Sequence, residues 1–196
     1  MNRDCGIRFD TSLLHPKYLL SWVGLSVFTV ISLLPNSVRH FLGRTVGKFI
    51  YHRNKKRRNT VTTNLKIAFP ELDTQQRQDL AINHLQWYGC ALMDYSVLFF
   101  ASQKRLANMV EIQGQEHIDH AITNNQNVMV LLAHSVMLEF APAALGFHYN
   151  CFGSYKNTRN ALFDWMISRS RCRHVKFVVS RDEGLRKLIK SMEPGK

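Results

Sequence analysis

The stretch from Tyr18 to Val38 constrains this chain most, because its 21 residues include no Asp, Glu, Lys or Arg. A helix of about 20 apolar residues is long enough to cross the hydrocarbon core of a bilayer. Tyr18 and Trp22 lie near one end of the stretch, and aromatic side chains favour the membrane interface. Pro35 ends the apolar run. The sequence therefore predicts a membrane anchor or a deeply embedded interfacial helix.

Two alternatives compete with the anchor. Arg3, Arg8 and Lys17 form a basic lead of the kind that precedes a cleaved signal peptide, but no small-residue cleavage site follows. A buried core helix is the second alternative, because several serines and Gly24 keep the hydropathy moderate.

Many Lys and Arg residues follow the stretch, and the positive-inside bias then predicts that the rest of the protein lies in the cytoplasm.

The net charge predicts an anionic partner, since 26 Lys and Arg residues face only 14 Asp and Glu residues. Phospholipid head groups, a phosphorylated glycolipid, an acidic carrier protein and nucleic acid all fit this charge. Residues 36–51 have the spacing of a basic amphipathic helix, which either lies on an anionic leaflet or packs on the core. The basic run at 52–58 lacks interleaved aromatics, which favours lipid phosphate contact or a solvated helix face over nucleic acid.

Four cysteines, at positions 5, 90, 151 and 172, lie far apart without a C-x-x-C motif. This spacing is more typical of reduced thiols in a cytosolic compartment than of a disulfide framework.

The second half of the chain alternates between short apolar runs and helical patterns. Asp73 and Thr74 predict the start of a long helix that reaches about Phe100. The predicted strands are 109–112, 128–132, 149–152 and 175–179, and the predicted helices are 115–123, 136–145, 162–170 and 182–192. Such alternation predicts an α/β fold, a mostly parallel sheet with crossover helices, preceded by the N-terminal membrane helix and a helical segment. We therefore divide the chain into a membrane anchor with a basic amphipathic helix (1–52), a helical segment (53–107) and an α/β core (108–196).

The apolar run Val128–Leu132 leads directly to His134, and Glu139 follows five residues later. An unbroken apolar run predicts a strand buried on both faces, and ligands bind at the carboxyl edge of such a sheet. Residues five apart point away from each other on a continuous helix, so a turn must separate His134 from Glu139. Glu139 could then orient the imidazole as a general base, although His-x4-Glu alone is a weak pattern and a purely structural histidine is equally compatible with it.

These features together resemble the late lipid A acyltransferases of Gram-negative bacteria, the lauroyl- and myristoyl-transferring members of the lysophospholipid acyltransferase group. The matching motifs include His15-Pro16-x-Tyr18, Trp22-x-Gly24-Leu25, Leu34-Pro35, Leu42-Gly43, Arg57-Arg58, Asn64-Leu65, Phe69-Pro70-Glu71, Gly114-x-Glu116-His117, His134-x4-Glu139, Asn160-x-x-Phe163-Asp164-Trp165, Arg169-x-Arg171 and Arg181-Asp182. Each piece alone is weak, whereas the ordered set covers nearly the whole chain.

The resemblance implies transfer of a fatty acyl group from acyl carrier protein to a hydroxyl of a lipid A precursor, at the cytoplasmic face of the bacterial inner membrane. His134 would act as the base, Glu139 would fix its tautomer, and Arg171, or alternatively Arg169, would stabilise the oxyanion. Asn160 and Asp164 would shape the same site. No cofactor and no metal are expected, and His117 with His120 is more typical of a helix surface than of a metal pair.

Two departures from the family pattern matter. The chain has Lys156 and Ala161 where the family commonly has Arg and Pro, and lysine cannot reproduce the bidentate fork of arginine in substrate binding. Family members also continue beyond the position of Lys196, so we expect an α/β core that is incomplete at its C-terminus. Two rival hypotheses therefore stay open: a non-catalytic membrane-associated fragment, and a basic nucleic-acid-binding protein.

Overall fold

The computed structural model describes residues 7–180 together with residues 186 and 189. Two compact units make up the chain. Residues Ser26–Val97 form the helical unit, and residues 7–25 together with the described residues from Leu98 onward form the α/β unit.

Helices dominate both units. Two short 3₁₀ turns, Thr11–Leu14 and Pro16–Tyr18, precede α1 (Leu19–Leu33), α2 (Asn36–Arg53), α3 (Lys55–Ala68), α4 (Thr74–Phe100), α5 (Gln103–Ala107), α6 (Gln115–Thr123), α7 (Phe140–Leu145), β1 (Phe152–Tyr155), α8 (Ala161–Arg171) and β2 (Phe177–Ser180).

The predicted apolar helix forms, but it is interrupted earlier than its composition suggested. Helix α1 ends at Leu33, and α2 begins directly after Pro35. Proline has no backbone N–H to donate to the preceding turn, so α1 and α2 do not form one continuous helix. Pro16–Leu33 is the one segment within residues 7–180 that is long and apolar enough to cross a membrane. Its 18 residues span about 27 Å, close to the hydrocarbon thickness. Most of its apolar side chains are exposed, with Leu20 83% accessible, so the buried-core alternative is disfavoured.

The long helix α4 confirms its predicted start and end. The carboxylate of Asp73 accepts a hydrogen bond from Gln76 N, and the Gln76 side chain accepts one from Asp73 N, a reciprocal capping box. At the other end, α4 reaches Phe100. Helix α3 ends just before Phe69-Pro70, as the proline predicted.

Glycines allow α2 and α4 to cross in very close contact within the helical unit. A Cβ atom on Gly43 would lie 2.5 Å from Cys90 Cα, and one on Gly47 would lie 2.2 Å from Leu85 O. Real Cβ contacts are never this short, so only glycine permits the crossing. The two backbones therefore pack directly on each other.

A buried ion pair also joins these two helices. Arg39 is 1% exposed and donates through Nε and Nη2 to one carboxylate oxygen of Asp94, each at 3.1 Å. His40 Nε2 lies 3.0 Å from the other Asp94 oxygen. Arg39 also donates to Leu34 O and Asn36 Oδ1, so its buried donors are satisfied. Removing one partner would leave a buried charge unpaired, which makes the pair a strong constraint on the packing.

The α/β unit contains one parallel strand pair. Strands β1 and β2 pair in register from Phe152 with Phe177 to Tyr155 with Ser180, and α8 is the crossover helix between them. A strand, crossover helix and parallel strand is the unit that the alternating sequence predicted. Leu13, Leu25, Leu162 and Met166 form the buried cluster beneath α8.

The predicted sheet is otherwise only partly present. Within residues 7–180, the predicted strand at 109–112 is irregular. Val128–Leu132 pairs with no other strand there and is exposed, with Leu131 88% accessible, so its prediction as a buried strand is wrong. A strand is buried on both faces only when neighbours hydrogen-bond to it and helices cover it, and the described residues supply neither. The predicted helix 182–192 lies outside the described residues apart from 186 and 189.

The cysteines match their prediction in part. Cys90 and Cys151 are free thiols, and burial raises the pKa of both. Cys172 is disulfide-bonded, so the expectation of a reduced thiol is wrong at that position.

We predict that Gly43→Ala destabilises the helical unit by about 2 kcal/mol, because its Cβ would displace the α4 backbone. Gly24→Ala is the matched control, since a Cβ there meets no atom within 4 Å. The control gains helix propensity, so its stability is unchanged or about 1 kcal/mol higher. Thermal unfolding in neutral detergent, followed by circular dichroism, measures both. Equal effects of the two substitutions would contradict the close crossing.

Candidate active site

A turn separates His134 from Glu139, as the spacing required. Residues 136–139 form the turn, and Leu138 N donates to Ser135 O at 3.3 Å. Met137 N donates to Ser135 Oγ at 3.3 Å, a local contact typical of a serine-initiated turn. Glu139 stands directly before α7 and is half-buried. The carboxylate is therefore held at the start of a short helix.

Glu139 binds Arg171 through both carboxylate oxygens. Arg171 Nε donates to Oε2 at 2.8 Å, and Nη2 donates to Oε1 at 2.5 Å. The two side chains are 23% and 22% exposed, so the pair is mostly shielded from water. A bidentate guanidinium–carboxylate pair fixes both groups in orientation as well as in position. This pair joins the end of α8 to the start of α7.

Tyr155, the last residue of β1, contacts Arg171. The guanidinium carbon of Arg171 lies 5.0 Å from the centre of the Tyr155 ring, within the range of cation–π attraction. Burial alone would lower the pKa of Arg171, but the hydrogen bonds and the charge of Glu139 outweigh it and raise the pKa above its ordinary value. Arg171 is therefore a permanent cation at the carboxyl end of β1.

Asn160 and Asp164 fasten the loop that connects β1 to α8. Asn160 caps α8 by accepting from Leu162 N and Phe163 N, and its amide donates to Ser21 Oγ at 3.0 Å. Asp164 is buried and accepts from Thr158 N at 2.7 Å. The charge of Asp164 also contributes to the raised pKa of Arg171. Both residues thus shape the loop beside the Glu139–Arg171 pair.

The other predicted site residues lie apart from that pair. Arg169 is exposed, with its guanidinium carbon 5.6 Å from the Trp165 ring centre. Lys156 and His134 are exposed, and neither side chain has a hydrogen-bond or ion-pair partner within residues 7–180. The expected hydrogen bond between His134 and Glu139 is not formed in this structure. No group of three or more His, Cys, Asp and Glu residues in the described ranges could hold a metal ion.

His174 is a buried residue that no sequence motif indicated. It is 7% exposed, and neither ring nitrogen has a partner among the described residues. The Phe147 ring meets the imidazole edge-on at 5.5 Å. Gly146 packs on its backbone, where a Cβ would lie 1.7 Å from His174 O. Burial, and to a lesser extent the charge of Arg173, lowers the pKa of His174 from 6.5 to about 4.

Arg171→Lys should lower the free energy of unfolding by about 1–2 kcal/mol, because lysine keeps the charge but cannot form the bidentate pair with Glu139. Arg169→Lys, in the same helix and exposed, should change it by less than about 0.5 kcal/mol. Denaturant unfolding in neutral detergent compares the two variants. A loss of the same size for Arg169→Lys would contradict a special role of the pair in packing.

The burial of His174 should make the folded protein less stable in acid. Its pKa is lower in the folded state than in the unfolded state, so the unfolded chain binds more protons between pH 6.5 and about 4. Stability is therefore highest above pH 6.5 and falls as the pH drops toward 4, by about 3 kcal/mol in total for a shift of this size. His174→Phe should remove this part of the pH dependence. Unfolding measured from pH 7.5 to 4.5 tests it, and an unchanged pH slope in the variant would refute it.

Residues 7–196 match the family model described as bacterial lipid A biosynthesis acyltransferase. Over 188 residues, the chain is 30% identical to the lipid A biosynthesis lauroyltransferase of Escherichia coli, covering 96% of this chain and 61% of that protein. It is 27% identical to the palmitoleoyltransferase of Escherichia coli, with the same coverage, and 24% identical to its myristoyltransferase, covering 95% of this chain and 58% of that protein.

The chain thus spans about three-fifths of the length of the curated relatives it matches. The family match covers both units and includes His134, Glu139 and Arg171. The chain therefore belongs to the bacterial lipid A biosynthesis acyltransferase family.

Proposed function

We propose that this protein is an acyltransferase that moves a fatty acyl group from acyl carrier protein to a hydroxyl of a lipid A precursor. The observation that carries the proposal is the Glu139–Arg171 pair, in a chain whose family is established. The pair places a carboxylate and a permanent cation at the carboxyl end of β1. Ester formation from an alcohol and a thioester needs both kinds of group near the reacting atoms.

His134 acts as the general base in this proposal. The imidazole takes the proton of the acceptor hydroxyl, and the oxygen attacks the thioester carbonyl to form a tetrahedral intermediate. The carbon–sulfur bond then breaks, and the imidazolium returns the proton to the leaving thiolate. The products are the ester and the free thiol of the carrier.

Glu139 can serve His134 and Arg171 at the same time. A carboxylate offers about four lone-pair positions, and Arg171 occupies one on each oxygen. A free position therefore remains for the imidazole N–H, which supports Glu139 as the group that orients His134. Productive binding requires His134 to reach Glu139 from its exposed position after the apolar segment.

Arg171 stabilises the oxyanion. A guanidinium carries five N–H groups, and two of those on Arg171 donate to Glu139. The remaining three have no acceptor in the described part of the chain. A cation in a shielded site lowers the energy of a developing negative charge more than one in water does. Asn160, Asp164, Lys156 and Arg169 bind or position the substrates around this centre.

Charge and hydropathy support the proposed partners, acyl carrier protein and a lipid A precursor, and the proposed location at the inner membrane. The net charge of +12 favours an acidic carrier protein and a phosphorylated acceptor. Pro16–Leu33 and the basic helices after it support association with the bacterial inner membrane, with the site on the cytoplasmic side. The disulfide at Cys172 counts against a reducing compartment. We still place the site on the cytoplasmic side. Residues 11–70 contain ten Lys and Arg residues and no carboxylates, and this positive charge is a stronger indication of the cytoplasmic side than the disulfide is against it.

A non-catalytic fragment is the second candidate. The apolar segment Val128–Leu132 is exposed in the described structure. A protein that carries the membrane helix and the basic face without transferring acyl groups would fit this observation.

Acyl transfer by the purified chain decides between them. With acyl carrier protein loaded with a radiolabelled acyl group and a lipid A precursor as acceptor, we expect labelled product. His134→Ala should lower its rate by about 10²-fold or more, as loss of a general base does. His117→Ala is the matched control, since this histidine is exposed on α6 and lies outside the proposed site. No product from the unmodified chain would favour the fragment, and equal rates for both variants would exclude His134 as the base.

A further inference from the structure

A groove in the helical unit lies outside the proposed active site. It encloses about 460 Å³ between the first half of α3 and the middle of α4. The lining residues, here called the α3–α4 groove, are Asn54, Lys56, Arg57, Thr60, Val61, His84, Leu85 and Tyr88. All eight belong to the Ser26–Val97 unit.

The α3–α4 groove has a basic rim without a counter-charge. Lys56 and Arg57 supply its charge, His84 adds an imidazole, and no carboxylate lines it. None of these three side chains has an ion-pair or hydrogen-bond partner within residues 7–180. None of the four carboxylates of the helical unit lines the groove: Asp94 pairs with Arg39, Asp73 caps α4, Asp79 accepts from the Gln75 side chain, and Glu71 lies outside the lining residues. Unpaired cations that converge on a concave surface favour an anionic ligand.

The Tyr88 ring contacts the Arg57 guanidinium. The guanidinium carbon lies 4.8 Å from the ring centre, a cation–π contact that leaves the N–H groups of Arg57 for a ligand. Arg58, the next residue, differs because it donates to Tyr51 O and His52 O. Asn54 uses its oxygen to cap Arg57 N, which leaves its amide N–H groups available. A planar fork, an ammonium and an amide together suit the several oxygens of a phosphate group.

The floor of the groove is apolar. Leu85 is 2% exposed and Val61 is half-buried, and both belong to the cluster formed with Tyr51 and Ala81. A basic rim over an apolar floor fits an amphipathic anion better than a free inorganic ion. Nucleic acid would need exposed aromatic faces for base stacking, and Arg57 covers one face of Tyr88, the aromatic residue of this groove.

The end of α2, next to the groove, exposes aromatic and basic side chains. Phe41 and Phe49 of α2 are 69% and 62% exposed, and the guanidinium carbon of Arg53 lies 5.9 Å from the Phe49 ring centre. Exposed aromatic and basic side chains on one helix are typical of a helix at the bilayer interface. Asn54 follows Arg53 directly, so the groove begins about one turn after Phe49. A lipid phosphate would lie at this level.

We propose that the α3–α4 groove is a binding site for the phosphate headgroup of an anionic phospholipid, with Arg57 and Lys56 as its phosphate ligands. The site is separate from the acyl-transfer centre, and it positions the helical unit on an anionic leaflet. Because binding is measured without any acyl transfer, failure of the catalytic proposal leaves this one intact, and the reverse also holds.

Native mass spectrometry of the full chain in neutral detergent tests the site by counting bound lipids. We expect one dioleoylphosphatidylglycerol per chain, bound at least about tenfold more tightly than dioleoylphosphatidylcholine, since two basic side chains near an anionic headgroup together strengthen binding by more than about tenfold. Lys56→Gln/Arg57→Gln should lower the affinity for phosphatidylglycerol about tenfold or more. Lys55→Gln/Lys66→Gln is the matched control, because it removes two charges from the same helix outside the groove. The control should stay within about twofold of the unmodified chain, since it leaves every proposed phosphate contact in place.

Four outcomes would overturn the proposal. Equal losses in both double variants would mean diffuse surface charge, and equal binding of phosphatidylcholine would mean apolar contact alone. Displacement of the lipid by inorganic phosphate at the same concentration would indicate a site for the free ion. Displacement by a short oligodeoxynucleotide would indicate a nucleic-acid site. If the groove double variant unfolds, Arg57→Lys replaces it: loss of the fork should weaken lipid binding with the charge unchanged, and undiminished binding would refute the role of Arg57.

Discussion

The bidentate pair between Arg171 and Glu139 organises the α/β unit around the proposed chemistry. These residues are far apart in sequence, and their pairing fixes the end of α8 against the start of α7 beside the Tyr155 ring. A guanidinium that loses water on burial needs compensation, and a carboxylate that accepts two hydrogen bonds provides it. The pair therefore settles which way both side chains point before any substrate binds, and it leaves N–H groups and lone pairs available for chemistry.

The helical unit depends on a different kind of constraint. Gly43 and Gly47 bring the backbones of α2 and α4 into direct contact, and the buried Arg39–Asp94 pair fixes the register of the same two helices. The α3–α4 groove lies in the same unit, and its lining includes Lys56 and Arg57 but no carboxylate. Its positive charge therefore favours anions.

Sequence reasoning succeeded where local chemistry decides structure. The helix start at Asp73, the stop before Pro70 and the turn between His134 and Glu139 all depend on residues within a few positions of one another. The helix at Gln115–Thr123 has the predicted bounds, and α8 differs from its prediction by one residue at each end. Sequence reasoning failed for Val128–Leu132, because burial of a strand depends on neighbours elsewhere in the chain. The same limit explains why Tyr155, His174 and the partner of Glu139 were not found: each is defined by a contact between distant segments.

By itself, the sequence determined the family, the apolar helix and the basic character of residues 11–70, because motif order, hydropathy and charge are properties of the linear chain. Only the tertiary structure decided that Glu139 meets Arg171, that Arg169 turns to Trp165, and that Arg57 is free where Arg58 is bonded to backbone. Arg169 and Arg171 are two positions apart on one helix and so face different neighbours. Identical side chains acquire different roles because packing, which no local pattern specifies, determines which acceptors lie within reach of each.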